Sequence, residues 1–512
     1  MSRTTLFGPP GSGKTTTLSK WSRQAADKYG GENIMVCSLT KTAAIEIQSR
    51  DTNVPRENVG TLHAHAYRAV TAMEDRRLRV ISDKDRDEFN EGKTSQQALP
   101  KDKINEESEG RYADSIASRV ALFRTMCIPL ARWPESALRW FDNYTEWKEA
   151  KGLIDFTDMV DLALKHVDCP LDYIILDEAQ DCSALEYALL EKWASQCSGV
   201  VIAGDDDQAA YEWRGASVNS FLEFADDQRI LPRSYRLPKR VKEYADRWIH
   251  QIKNRKEKEY EPTPHAGSVS EMVTRHPAHI VEEALSRSGT TMILVTCAYM
   301  LNKILKVLQE ERVPYHNPYR VKGEYASTWN PLATGSGTTV TSADVVRSFL
   351  TQPWSHRTTH AWIKEMSSEH LTHGTKAALK QERLNDSLVS LEQLSSWLGP
   401  ENLNRALKGD VPWLLSTIKQ PKRRAQLALR WTLLRGLSSI HETPSIIVGT
   451  IHSVKGGQAD NVFLYPDLSP QGKESYQDNP DPIIRQIYVG LTRAKDKLFL
   501  VPPARMAQLR WD

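Results

Sequence analysis

The sequence lacks any apolar run approaching 18 residues, which excludes a membrane-spanning helix of ordinary length. It lacks paired cysteines as well. The six that exist (Cys37, Cys127, Cys169, Cys182, Cys197 and Cys297) are scattered over 512 residues with no CxxC spacing. That pattern argues against a disulfide framework or a zinc site and fits a reducing cytoplasm. A large charge imbalance is absent too: 67 Lys and Arg face 65 Asp and Glu, a net +2. A basic coat protein and an acidic tail are thereby excluded, and any nucleic-acid site must be a local patch. Only seven residues precede Gly8, which leaves no room for a signal peptide. No internal repeat of fixed period is present. With 40% hydrophobic and 26% charged residues the composition is globular, and the length suits about three or four domains.

Short apolar strands alternate with helical segments, which predicts an α/β fold with parallel sheets. The strands expected are Thr4–Phe7, Ile34–Ser38, Tyr173–Leu176, Gly199–Ala203, Met292–Thr296, Ser445–Thr450, Val462–Tyr465 and Leu498–Val501. Helices are expected from Lys14, over Thr40–Arg50 and over Met300–Glu311. Two stretches break this alternation. Residues 71–151 include a densely charged segment and then Trp133, Trp140 and Trp147 at a spacing of seven. Seven residues is two helical turns, so the three indoles are expected on one helix face, packing a small core or, alternatively, stacking on bases. Residues 319–443 begin with a Gly/Ser/Thr-rich stretch at 334–341. They hold six of the fourteen tryptophans, Trp329 and Trp431 among them. The expected division is therefore a first α/β domain over 1–70 and 152–236 with a helical insertion at 71–151. A second α/β domain spans 237–318 and 444–512, with a helical insertion at 319–443.

Gly8-Pro9-Pro10-Gly11-Ser12-Gly13-Lys14-Thr15, followed by Thr16, matches GxxxxGK[ST] between a strand and a helix. Glycines let backbone N–H groups curl around phosphate oxygens, and the helix N-terminus adds its positive end. Lys14 is placed to reach the β- and γ-phosphates and the Thr15 hydroxyl to ligate Mg²⁺. Tyr173-Ile-Ile-Leu-Asp177-Glu178 supplies the other half: a strand delivers Asp177 to the Mg²⁺ shell and Glu178 beside it to orient and polarise the attacking water.

From here the motifs resemble the UvrD/Rep/PcrA family of superfamily-1 helicases. Asp177-Glu-Ala-Gln-Asp181 and Gly204-Asp-Asp-Asp-Gln208-Ala-Ala-Tyr211-Glu-Trp213-Arg214-Gly carry the resemblance most strongly. In the family's order follow Thr61-Leu-His63, Asp155-Phe156-Thr-Asp158, Ser234-Tyr235-Arg236, Thr450-Ile-His452-Ser453-Val-Lys455-Gly456 and Tyr488-Val-Gly-Leu-Thr-Arg493. The resemblance implies two RecA-like motor domains closing on ATP and Mg²⁺. It implies that Gln208 senses the γ-phosphate, that Arg236 and Arg493 are arginine fingers, and that Tyr235 stacks on the adenine. Trp213 would stack on a DNA base. Thr61, His63, Tyr211, His452, Ser453 and Lys455 would lie near the DNA or couple it to ATP, and Tyr211 read by itself is equally a core residue.

The chain departs from the family pattern in four places. No glutamine-containing motif precedes Gly8. Leu39 stands where an aromatic is usual. Gln458 replaces a glutamate near the ribose. Nineteen residues follow Arg493, too few for the usual strand-separating hairpin, with Trp511 as a crude wedge or a packing residue. Residues 228–260 carry a net +7 and 408–435 a net +6, which are solvated helix faces or contacts to DNA phosphates. The HxxH spacings at His276/His279 and His370/His373 read as surface or packing histidines. The function expected is an ATP-dependent single-stranded DNA translocase and helicase, 3′ to 5′. Its partners would be single-stranded DNA and single/double-strand junctions, with an accessory protein and no membrane, and the working unit would be a monomer. The other function class is an ATP-driven protein-displacement factor, or a motor subunit of a nuclease or defence complex.

Overall fold

A computed structural model describes residues 2–38, 47, 52–73, 78–100, 115–311, 313–319, 342–381, 384–418, 443–504, 509 and 511. The strands are β1 (Ser2–Phe7), β2 (Ile34–Ser38), β3 (Val59–Thr61), β4 (Arg79–Val80), β5 (Leu153–Ile154), β6 (Tyr173–Asp177) and β7 (Gly199–Gly204). They continue as β8 (Asp227–Ile230), β9 (Ser268–Glu271), β10 (Thr291–Val295), β11 (Tyr315–His316), β12 (Ile446–Thr450), β13 (Ala459–Leu464) and β14 (Ala494–Leu500).

Two six-stranded sheets result, ordered β3-β2-β6-β7-β1-β8 and β11-β12-β10-β13-β14-β9, with every pairing parallel. Their central strands are buried along their whole length, as expected for parallel sheets covered by helices on both faces. Two apolar clusters line the two faces of the first sheet and two more line the second. Every internal strand was legible as an apolar run. The edge strands β3, β8, β9 and β11 were not, because they are short and two of them are largely polar and half exposed.

Parallel register decides where the chemistry falls. Phe7 pairs with Gly204, Leu176 with Ile202, and Ser38 with both Asp177 and Thr61. The glycine-rich loop, the Asp177–Glu178 pair, the Gly204–Gln208 turn and Thr61 therefore all leave one edge of the sheet, the carboxyl edge.

The segment between β3 and β6 builds its own core from Ile81, Phe89, Val120, Trp133, Trp140, Tyr144 and neighbours. Its two ends meet where β4 pairs with β5. The helix Glu135–Lys151 starts after Pro134, so Trp133 precedes it rather than sharing its face. All three indoles nevertheless pack in that core, where Trp133 and Trp140 donate their indole N–H groups to the carbonyls of Ile128 and Gln97 at 2.8 Å. Buried in this way, those two rings are not a stacking platform. A further cluster, with Phe349, Trp354, Trp362, Trp397 and Trp413, forms over residues 343–418. The expected helix Thr40–Arg50 (save Ile47), Leu39, the stretch 334–341, Trp329, Trp431 and the basic run beyond residue 418 lie outside the described residues.

Of the two readings of Trp511, the packing residue is the one the structure favours. It is buried edge-on against Trp248 at 5.6 Å, donates its indole N–H to the Val501 carbonyl at 2.7 Å, and its own carbonyl accepts from the Tyr244 hydroxyl. Cys169 and Cys197, distant in sequence, bring their Sγ atoms to 3.0 Å as free thiols.

The first inserted segment is latched to the sheet by charge. Asp155 and Asp158 cap the helix Phe156–His166 reciprocally. The same carboxylates take Arg124 at 2.8 and 2.6 Å and Lys148 at 3.2 and 2.5 Å. All four side chains are nearly buried. Burial pushes the Asp155 carboxyl up, but Arg124 and Lys148 outweigh it and hold it well below the usual carboxylate range. Breaking a buried pair from one side strands a charge. Arg124→Ala should therefore destabilise the protein by about 3 kcal/mol, read as a lower urea midpoint at neutral pH. A depressed folded-state pKa gives stability that is complete above the unfolded value and lost as pH falls. The gap between wild type and Arg124→Ala should accordingly narrow below about pH 4.

Candidate functional site

The loop after β1 is shaped by two close approaches. Gly8 donates its N–H to the Gly204 carbonyl at 2.8 Å, and a Cβ on Gly8 would come within 1.8 Å of the Lys14 chain. Gly11 has φ +71°, and its missing side chain leaves room for Arg236, whose Cβ would otherwise sit 2.3 Å away. The helix Lys14–Tyr29 then begins with no acidic residue in its first turn, so its positive end is uncompensated. Lys14 Nζ donates to the Gly8 carbonyl at 3.0 Å and stands 3.9 Å from Glu178. Thr15 Oγ1 donates to Asp177 at 3.0 Å.

Glu178 takes a left-handed backbone conformation, φ +57°, a strain that a non-glycine residue keeps only where its surroundings enforce it. Its carboxylate accepts from Gln180 Nε2 at 2.7 Å, while Gln180 Oε1 accepts the Asp205 N–H at 3.1 Å. Burial pushes Glu178 up, yet Lys14 and Lys455 together hold it below the usual range. Neighbouring Asp177 goes the other way, raised by burial and by the charge of Glu178. Two adjacent carboxylates thus differ in proton affinity because Glu178 is reached by both Lys14 and Lys455, whereas at Asp177 burial and the charge of Glu178 outweigh Lys14.

The second sheet meets this site with its amino edge. Gln458 and Arg493 immediately precede β13 and β14, whose first residues pair. Arg493 is completely buried. It donates to the carbonyls of Val489 and Gly457 and, at 2.7 Å, to Gln208 Oε1. Arg236 Nε donates to Gln458 Oε1 at 2.9 Å. Burial and then Arg236 penalise the charge on Arg493, drawing it down to about 9. Burial also lowers Arg236. Tyr235 leaves its ring 74% exposed while its N–H donates to the Gly11 carbonyl at 2.9 Å.

These features suit a polyphosphate with a divalent cation. Ser12 Oγ is buried in the loop with no hydrogen-bond partner, so an acceptor or donor belongs there. Burial and the charge of Arg236 disfavour the charged form of Arg493, which an anion beside it would relieve. Thr15 and Asp177 offer the two hard oxygens a cation needs.

From β12 the chain crosses back to the amino edge through residues 451–458, alongside residues 208–213 of the first half. His452 Nε2 lies 2.9 Å from the Ala210 carbonyl, and its ring is 5.8 and 6.2 Å from those of Tyr211 and Trp213. Trp213 is 51% exposed and Tyr211 half-buried. Ser453 Oγ accepts from Asn317 at 3.0 Å. Lys455 sits deeper than the sequence grouping with the DNA residues implied: its ammonium pairs with Asp181 and donates to the Gln208 carbonyl at 2.9 Å. Thr61 caps the helix Leu62–Met73, accepting the Ala64 N–H at 3.2 Å. His63 lies 3.4 Å from Glu186 with its ring against Phe156. The structure thus joins Tyr211, Trp213, His452 and Ser453 on the seam and leaves Thr61 and His63 on the first half.

Several residues of this arrangement carried no assigned role in the sequence. Ser234 Oγ donates to the Pro10 carbonyl at 2.6 Å and so fastens Tyr235–Arg236 to the loop. Gln180 and Asp181 orient Glu178 and Lys455. Arg485 donates to Glu212 at 2.7 Å and to the Asn254 carbonyl, fixing the turn that bears Trp213 from the opposite half. Within the basic run 228–260, Arg255 and Lys258 are not solvated, because both pair with buried aspartates. No spacing rule separates these from surface charges.

Family comparison agrees with the geometry. Residues 2–229 match the UvrD/REP helicase N-terminal domain and residues 445–501 the UvrD-like helicase C-terminal domain. DNA helicase II of Escherichia coli is 24% identical over 375 residues, covering 61% of this chain and 48% of that protein. The ATP-dependent DNA helicase PcrA of Staphylococcus epidermidis is 28% identical over 182 residues, 33% of this chain and 25% of that one. The ATP-dependent DNA helicase Rep of Buchnera aphidicola is 26% identical over 126 residues, 22% and 19% of the two chains. The chain spans less than half the length of these curated relatives. The N-terminal match covers the first sheet and the C-terminal match covers strands β12, β13 and β14 of the second, and the chain belongs to the UvrD/REP helicase family.

Proposed function

We propose that the chain is a DNA-dependent ATPase that moves along single-stranded DNA and separates strands at single/double-strand junctions, in the 3′ to 5′ direction. The observation that carries this reading is the seam between residues 208–213 and 451–458. One end of it holds the Gln208–Arg493 pair beside the phosphate loop, and the other holds the exposed Trp213 beside His452. A change at either end is transmitted by one rigid stretch of backbone. Both halves come from one polypeptide, so a single chain can constitute the working unit.

In this reading Lys14 and the loop N–H groups bind the phosphates, and Ser12 gains the partner it lacks. Thr15 and Asp177 hold Mg²⁺, which supplies charge neutralisation at the phosphates. Glu178, kept ionised by Lys14 and Lys455, takes the proton of the attacking water, with Gln180 fixing its orientation. Arg493 from the second half and Arg236 from beside the phosphate loop approach the transferred phosphoryl group, where planar guanidinium suits the developing charge. The Tyr235 ring offers its open face to the nucleobase and Gln458 lies beside it through Arg236. Loss of the phosphoryl group removes the anion that Arg236 and Arg493 share, so the halves part and the grip on DNA alternates. Thr61, His63, Tyr211, Trp213, His452 and Ser453 provide that grip.

The direct test is ATP hydrolysis with and without single-stranded DNA, alongside unwinding of duplexes bearing opposite tails. Stimulation by DNA and unwinding from the 3′ tail are expected. Lys14→Ala should abolish hydrolysis with an unchanged circular dichroism spectrum, because its charge serves phosphates rather than packing. Glu178→Gln should still bind a fluorescent ATP analogue but turn over ~100-fold more slowly, the scale of one positioned base. Trp213→Ala should weaken single-stranded DNA binding by about 1–3 kcal/mol, the worth of one base stack, measured by fluorescence anisotropy. A lowered melting temperature with unchanged DNA affinity would return Trp213 to a structural role.

A further inference from the structure

Asp205, Asp206 and Asp207 are buried side by side at the turn after β7. Three adjacent carboxylates out of water repel one another and demand cations. Two arrive, both from the segment 253–261. Arg255 forks onto Asp207 at 2.9 and 2.7 Å. Lys258, itself only 1% exposed, puts its ammonium 3.2 Å from Asp205, 2.5 Å from Asp206 and 2.8 Å from Asp207. The backbone of this segment is pinned as well. Lys256 N–H donates to Asp206 at 2.8 Å, and Glu261 exchanges bonds with Pro232 and Ser234, the same Ser234 that holds the phosphate loop.

One of the three aspartates faces the nucleotide site. Asp205 Oδ2 accepts from Gln208 Nε2 at 2.5 Å, and Gln208 Oε1 accepts from Arg493 at 2.7 Å. The other oxygen, Oδ1, has no hydrogen-bond partner, and what compensates it is the charge of Lys258. An ionised carboxylate only accepts. It therefore turns the amide nitrogen of Gln208 toward itself and leaves the amide oxygen for the guanidinium. A neutral group there could turn the amide over and leave two donors facing each other.

We infer that Lys258 is a positioning residue for hydrolysis: through Asp205 it fixes the side chain of Gln208, and through Gln208 the guanidinium of Arg493. The inference rests on the ATPase reading above and adds to it a residue near the end of a basic run. The chain of contacts is Lys258, Asp205, Gln208, Arg493, each link seated by the one before.

The test uses two perturbations of the full chain, each made alone and with Gln208→Ala. Asp205→Asn changes one atom and keeps the volume, but it removes the charge that Lys258 compensates and puts an N–H donor where one of the two oxygens faced Lys258 or Gln208. Lys258→Met with Asp206→Asn removes one positive and one negative charge together. Each should lower kcat at saturating single-stranded DNA about 10- to 100-fold, the cost of a misplaced group, while leaving affinity for a fluorescent ATP analogue largely unchanged. In the Gln208→Ala background neither should lower kcat further, because a relay already cut cannot be cut again. Losses that multiply in that background would overturn the inference, and so would an unchanged kcat with a lowered melting temperature. If the double substitution fails to fold, Asp205→Asn decides. If neither folds, the cluster serves folding and the inference falls. A wild-type chain without ATPase would overturn the underlying reading as well, whereas an active wild type with multiplying losses would overturn the positioning role alone.

Discussion

The organisation of the site depends on one constraint: charged and polar groups buried between two sheets must satisfy one another. Gln208, Asp181 and the Ala210 carbonyl on one side meet Arg493, Lys455 and His452 on the other. Each of these contacts crosses from one half to the other, although Arg493, Gln208, Asp181 and His452 also bond within their own halves. The two halves are consequently held in one relative position by groups that would be costly to leave unpaired. The same groups surround the place where a polyphosphate fits. Filling that place changes the electrostatics of every pair along the seam.

The charges are arranged unequally, and the inequality has chemical consequences. Glu178 lies within reach of the lysines and stays ionised, whereas Asp177 is buried beside it and binds its proton more tightly. Arg236 adds to burial in disfavouring the charge on Arg493. The excess positive charge is therefore local to the loop, although the chain as a whole is almost neutral. Away from the cleft the same economy appears in the Arg124–Asp155–Asp158–Lys148 latch, which joins an inserted segment to the sheet by charge at a helix N-terminus.

The sequence-level grouping of residues and their grouping in space differ at instructive points. Lys455 belongs to a motif with His452 and Ser453, yet the single 3-10 turn His452–Val454 carries it from the Trp213 end of the seam to Asp181. Trp133 keeps the seven-residue spacing of its fellow indoles but not their helix, since Pro134 starts the helix behind it. Lys258 and its neighbours look like a solvated face, and the fold returns that segment to the interior because three aspartates wait there. Trp511 fills a gap beside Trp248 rather than standing at a junction.

The sequence by itself determined the fold class, the internal strands, the phosphate loop, the acidic pair after β6 and the family. Each of these is a local pattern: apolar runs for buried strands, glycines where a side chain would collide, carboxylates at a strand's end. What only the tertiary structure decided is which distant residues complete the site. Ser234 against Pro10, Arg485 against Glu212, Lys455 against Asp181 and Lys258 among Asp205, Asp206 and Asp207 are pairings across tens to hundreds of residues. The reason is physical: a charged residue reads the same in sequence whether it is solvated or buried. Only the packing of two sheets edge to edge removes the water and makes its partner obligatory.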